Sequence, residues 1–192
     1  MHVLCAVCDG GGSHWHVHLP SLDIIFQSVV NAAAGGETLP LWGTCLGFEL
    51  TSFLASGLNP AVPTGPFDAE NLTIALNFTD AAAGSRLWGN APASVVAALS
   101  SSPSTINMHR QGVTPEQFQL PLLQRLRVLS TNTDRAGRAF VSSAEGVSLP
   151  VFITQFHPEK VVYEWTLAEP IPHDYPSIAA NSYRRAILLP ML

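Results

Sequence analysis

Residues 39–58 join a short apolar run, a glycine-flanked cysteine and an amphipathic segment, an order that few architectures accommodate. Gly43 and Gly47 bracket Cys45 as glycines bracket the serine of a G-x-S-x-G elbow, a tight strand-to-helix turn that lifts the nucleophile clear of a sheet. The pattern requires a strand ending near the thiol and a helix beginning just after it, so an α/β sheet with Cys45 at a strand's carboxyl end is expected. A helix start aims partial positive charge at the sulfur and favours the thiolate. Cys45 is therefore the candidate nucleophile.

The surrounding sequence supplies the rest of such a sheet. Residues 3–8 form an apolar run that stops at Asp9-Gly10-Gly11-Gly12, as a buried strand followed by a backbone loop would. Leu22, Ile25, Phe26, Val29, Val30 and Ala33 recur at helical spacing, with Ser21 as expected N-cap and Gly35-Gly36 as stop. Residues 39–42 return as a strand parallel to the first, which completes a strand-helix-strand unit. Ligands of open α/β sheets bind beyond the carboxyl ends of the strands, where the loop at 10–12 and Cys45 are expected to meet. Residues 59–67 read as a Pro/Gly-rich connection. Leu72, Ile74, Leu76 and Phe78 alternate as one half-buried strand. Helices are expected at 93–99, 115–123 and 177–189, the last interrupted by Pro190, and strands at 105–108, 127–130, 139–142 and 151–156. With 192 residues, 47% of them hydrophobic and 12% charged, the whole of 1–192 is expected to form one domain.

A cysteine nucleophile needs a base, and Val151-Phe-Ile-Thr-Gln-Phe-His157-Pro158-Glu159 offers one at a strand end. Pro158 stops the ladder, and Glu159, two residues beyond His157, can lie on the same side and accept its ring N–H. His157 would pair with the thiolate and later protonate a leaving amine, with Glu159 fixing the tautomer. The backbone N–H groups of Leu46 and of Gly11 or Gly12 are the candidate oxyanion hole.

Together, Gly43-Thr-Cys-Leu-Gly-Phe-Glu49 and Gln155-Phe-His-Pro-Glu159 resemble the two signatures of class I glutamine amidotransferase-like hydrolases. The finer resemblance is to the gamma-glutamyl hydrolase family, which is similar to this chain in having glutamate where amidotransferases usually carry glutamine, at Glu49. Leu76-Asn-Phe-Thr79, Asn107-Met-His-Arg110, Thr131-Asn-Thr-Asp134 and His157-Pro-Glu-Lys160 with Tyr163-Glu-Trp165 extend it in the same order over residues 3–189. The resemblance implies a flavodoxin-like three-layer α/β sandwich with a mostly parallel central sheet and a Cys45, His157, Glu159 site. It also implies cleavage of gamma-linked glutamate from folyl and antifolyl polyglutamates through a thioester. No metal or organic cofactor is implied. The substrate would be a small molecule rather than nucleic acid or membrane, a homodimer is allowed, and the family's setting is the vacuole, the lysosome or the secreted space. Glu49 and His109, beside Arg110, are the candidate substrate-binding residues. Family members begin with a further strand and helix, so the chain reads as amino-terminally truncated, with an exposed sheet edge expected. Gly10-Gly-Gly-Ser-His-Trp-His-Val-His18 also departs from the family's Pro-Gly-Gly and arginine-containing stretch. A glutaminase module of an amidotransferase and an inactive remnant are the alternatives.

Other features weigh less. Net charge is -5 without a Lys/Arg run, which lacks the footprint of a nucleic-acid or anionic-membrane binder. No apolar stretch reaches membrane-spanning length, and no basic leader precedes the first strand. Cys5, Cys8 and Cys45 are too few for a secreted disulfide framework. Cys5-x-x-Cys8 with His14, His16 and His18 suggests zinc, but a spacing of three on a strand sends the two thiols to opposite faces, so no metal site is expected. Asn71-Leu-Thr73 and Asn77-Phe-Thr79 are glycosylation sequons.

Overall fold

A computed structural model of the chain describes residues 2–6 and 15–183, with side chains from His18 onward. In chain order the elements are β1 (His2–Ala6), α1 (Trp15–Ala34), β2 (Leu41–Cys45), α2 (Leu46–Ala55), β3 (Ala69–Ile74), β4 (Asn77–Phe78), α3 (Ala93–Ser101), β5 (Thr105–His109), β6 (Leu126–Thr133), β7 (Ala139–Gly146), β8 (Val151–Thr154), α4 (Pro158–Tyr163) and α5 (Tyr175–Ser182). Short 3-10 turns cover Asp80–Gly84, Gln117–Gln119 and Leu123–Arg125. Six strands form one sheet in the order β1-β2-β8-β7-β6-β4, and β3 pairs with β5 as a separate antiparallel ribbon. The half containing β1, β2 and β8 is parallel; β7, β6 and β4 continue it antiparallel.

Side-chain alternation along the central strands sorts the core onto two faces. Leu41, Val151 and Ile153 join Leu22, Val29, Phe48 and Leu50, under α1 and α2. Trp42 and Phe152, one position along, join Val95 and Leu99 of α3 and Ala180 of α5. Helices on both faces make the fold a three-layer α/β sandwich, in line with the sequence expectation. β2 and β8 are buried along their whole length, as parallel strands covered on both faces must be. Phe48 and Phe152 are fully buried, each worth about 1.5–3 kcal/mol of apolar transfer.

Several elements differ from the sequence reading, each for a local reason. Helix α1 begins at Trp15, so Ser21 is not its N-cap; Pro20 lies inside the helix at an exposed position. The single strand expected through Leu72, Ile74, Leu76 and Phe78 divides into β3 and β4, which belong to different sheets. Between them the Leu76 N–H bonds the Leu99 carbonyl at 2.7 Å and Asn132 Nδ2 donates to the Ala75 carbonyl at 2.6 Å, so this stretch takes its partners from outside either ladder. The helix expected at 115–123 is two 3-10 turns interrupted at Pro121, the first started by a reciprocal pair: Gln117 N–H to Thr114 Oγ1 and Thr114 N–H to Gln117 Oε1. Pro158 does more than end a ladder. It is the first residue of α4, where its missing N–H costs no helical bond. Helix α5 begins two residues earlier than expected, at Tyr175, with Asp174 accepting the Ser177 N–H at 2.9 Å. Its expected continuation to 189 and the interruption at Pro190 lie outside the described residues, as do positions 7–8 of the first strand and the glycine loop.

Candidate functional site

Strand β2 lies between β1 and β8, with Ala6 opposite Cys45 on one side and Thr44 opposite Thr154 on the other. The carboxyl ends of β2 and β8 therefore lie side by side. Cys45 ends its strand in a left-handed conformation, φ 52° and ψ -105°, that non-glycine residues rarely adopt. Such backbone costs about 1–3 kcal/mol and persists where the surrounding structure over-determines it, commonly at active sites. Here hydrogen-bonded strands on both sides and the following helix do so. Helix α2 opens at Leu46, and no side chain caps its start. The N–H groups of its first turn, that of Leu46 first among them, have no carbonyl one turn earlier to bond and stand at the elbow. Gly43 is required by proximity: a Cβ there would lie 2.7 Å from the Gly47 carbonyl oxygen and 3.1 Å from Ile153 Cγ2.

His157 lies three residues beyond the end of β8, at the start of α4, and its backbone N–H bonds the Ile106 carbonyl of β5 at 2.9 Å. Its ring is wholly buried, and Nδ1 lies 2.5 Å from Glu159 Oε1. A carboxylate only accepts, so Nδ1 carries the hydrogen, and Nε2 of the neutral ring is the basic nitrogen. Nε2 is buried with no hydrogen-bond partner among the described residues. Cys45 is likewise fully buried.

Glu49, in the first turn of α2, is buried, and its Oε1 accepts from Gln155 Nε2 at 3.0 Å; the same nitrogen stands 4.0 Å from Cys45 Sγ. Gln155 has no role in the sequence reading. Its signal is position: it stands two residues before His157, in the stretch that leaves the carboxyl end of β8. His109 lies on β5, 3% exposed, with Nδ1 donating to the Gln111 carbonyl at 2.7 Å and the ring edge-on to Phe140. Burial, reinforced by nearby His157, lowers its pKa from 6.5 to about 4 against the opposing Gln111 bond, so it is a neutral imidazole at pH 7. Arg110 beside it is exposed. Gly11 and Gly12 lie outside the described residues. Asn71 and Asn77 are both exposed, on β3 and β4. Among the described residues no group of three or more His, Cys, Asp or Glu is placed to hold a metal, and no helix is long and apolar enough to cross a membrane.

The structure thus gathers Cys45, Glu49, Gln155, His157 and Glu159, drawn from two distant segments, at one end of the parallel half-sheet. The same residues lie within the stretch shared with known proteins. The chain is 34% identical over 169 residues to gamma-glutamyl hydrolase B of Dictyostelium discoideum, and 35% identical over 169 residues to gamma-glutamyl hydrolase of Homo sapiens, in each case over 86% of its own length. It is a relative of the gamma-glutamyl hydrolases. Gamma-glutamyl hydrolase 1 of Arabidopsis thaliana matches at 29% over 95% of the chain. The chain spans about half the length of these relatives: 48%, 50% and 53% respectively. No family model matches. Among solved structures, a putative GMP synthase protein from Thermoplasma acidophilum aligns with a TM-score of 0.45 at 14% identity, over 97% of this chain and 75% of that one.

Proposed function

We propose that the chain is a cysteine-dependent gamma-glutamyl hydrolase acting on folyl and antifolyl poly-gamma-glutamates. The observation that carries the reading is the His157–Glu159 pair at the end of β8, beside the strained Cys45 elbow at the end of β2. The names of the relatives support the gamma-glutamyl bond as the target, and the folyl polyglutamate chain is what the motif resemblance implies. In this mechanism the Cys45 thiolate attacks the γ-carbonyl carbon and forms the C–S bond. The tetrahedral oxyanion is held by the Leu46 N–H, with Gly11 or Gly12 as the second donor. His157, protonated by the thiol it ionised, gives its proton to the departing amine as the C–N bond breaks, which leaves a thioester. Water then attacks, His157 takes its proton, and the C–S bond breaks to release the γ-carboxylate and restore the thiol. Glu159 holds the ring and stabilises the imidazolium. Glu49 and His109 serve the substrate: Glu49 as an acceptor, and neutral His109 as a polar contact rather than a counter-cation.

The test is release of free glutamate from a pteroyl poly-gamma-glutamate by the wild-type chain and by Cys45→Ala. The expected result is turnover in the first and none above background in the second; retained turnover in the variant would sink the reading. Hydrolysis of free glutamine without polyglutamate cleavage would move the assignment to the glutaminase class, against which Glu49 stands. Exposed Asn71 and Asn77 are proposed to carry N-linked glycan in a vacuolar, lysosomal or secreted setting. A mass decrease on glycosidase treatment of the protein from its native source checks this.

A further inference from the structure

Gln155 is fully buried, and its backbone N–H is tied to the Ser142 carbonyl of β7 at 2.8 Å, so its amide is held in one place. That place is between two acids. Its nitrogen lies 3.0 Å from Glu49 Oε1 and 4.0 Å from Cys45 Sγ. A carboxylate cannot donate, so the group facing Glu49 must be the NH2, which has two hydrogens to distribute. The amide oxygen is consequently turned away and is buried without a hydrogen bond. Leaving a buried acceptor unpaired is unfavourable, and a glutamine present only for packing would not need to be held this way.

We propose that Gln155 is a positioning residue for the nucleophile, one amide group donating to both the Glu49 carboxylate and the Cys45 sulfur so that two anions can stand beside each other at the start of α2. This rests on the reading of Cys45 as nucleophile. Without the shared donor, the carboxylate opposes ionisation of the thiol, as like charges in one site do. The amide lets the site keep a glutamate for its substrate and still form a thiolate.

The experiment is the pH dependence of Cys45 alkylation by iodoacetamide in the full protein, followed by mass spectrometry of the Cys45 peptide, which separates it from Cys5 and Cys8. Gln155→Met is expected to raise the midpoint by about one pH unit, within the range that a neighbouring like charge produces. Gln155→Glu, which keeps the size and adds a third carboxylate, is expected to raise it further. Adding Glu49→Gln to Gln155→Met is expected to return the midpoint to near the wild-type value, since a neutral residue at 49 needs no offset. A packing role would leave the midpoint in place and give no such rescue. An unmoved midpoint in either folded single variant overturns the assignment, and should Gln155→Met not fold, Gln155→Glu is read by the same criterion. Absence of Cys45 alkylation in the wild type, with turnover retained in Cys45→Ala, instead defeats the nucleophile reading itself.

Discussion

At the end of β2 the backbone carries the geometry, whereas at the end of β8, the adjoining strand, side chains carry it. Cys45 is held by a left-handed turn, by Gly43 packed under the Gly47 carbonyl and by a helix that starts at once, with no side-chain cap. His157 has a negative φ, -103°, and takes its orientation from Glu159 and from the β5 carbonyl that receives its N–H. A strained turn tolerates almost no change in shape, while a hydrogen-bonded ring tolerates changes in shape but not in charge. The two ends should therefore fail in different ways when perturbed.

The largest expected effect is at the β8 end. Glu159→Gln keeps the size and an acceptor but removes the charge opposite the imidazolium, and kcat for glutamate release should fall by about 10²–10⁴-fold. Steady-state kinetics with circular dichroism should show KM and fold little changed, and an undiminished kcat would mean that Glu159 only orients the ring. Next is the ribbon that braces this end. His109 is protonated more readily unfolded, near pH 6.5, than folded, near pH 4, so burial keeps its full stabilising effect above about pH 6.5 and loses it as pH falls toward 4. The loss should approach about 3 kcal/mol, and His109→Gln should flatten that part of the profile in urea unfolding at pH 7 and 4.5. At the β2 end, Gly43→Ala drives a Cβ into the Gly47 carbonyl. It should cost about 1–3 kcal/mol by urea midpoint and reduce turnover about 10²-fold by displacing the thiol. The smallest effect should be Pro158→Ala, because the pair with Glu159 rather than the proline orients His157. A loss under about 1 kcal/mol, from the freer unfolded chain, with turnover within about threefold, would sharpen the contrast between the two ends.

How much can be read from sequence follows the range of the forces involved. The elbow is legible because its requirements are local: glycines at fixed offsets from Cys45, an apolar run before and an amphipathic run after. The His157–Glu159 bond is legible because only two residues separate the groups, a span short enough for them to meet although the chain turns into α4 there rather than running on as strand. Ala93–Ser101 and the strands through Thr105–His109 and Ala139–Gly146 are legible for the same kind of reason. The single strand read through 72–78 fails at Ala75–Leu76 because alternation reports which face is buried and carries no information about which strand is the partner. Helix α4 escapes the sequence reading because a proline after a strand reads only as a stop, although the same residue is well suited to a helix's first position.

Sequence alone determined that Cys45 stands on a tight strand-to-helix turn and that His157 has a carboxylate within reach, since bond geometry over a few residues decides both. Only the tertiary structure decided that β2 and β8 are parallel neighbours, which brings Cys45 beside Gln155 across 110 residues of chain and makes Gln155 the link between Glu49 and the sulfur. Strands as short and uniformly buried as these could pair with many partners, and the choice among them is made by packing both faces of the whole sheet at once.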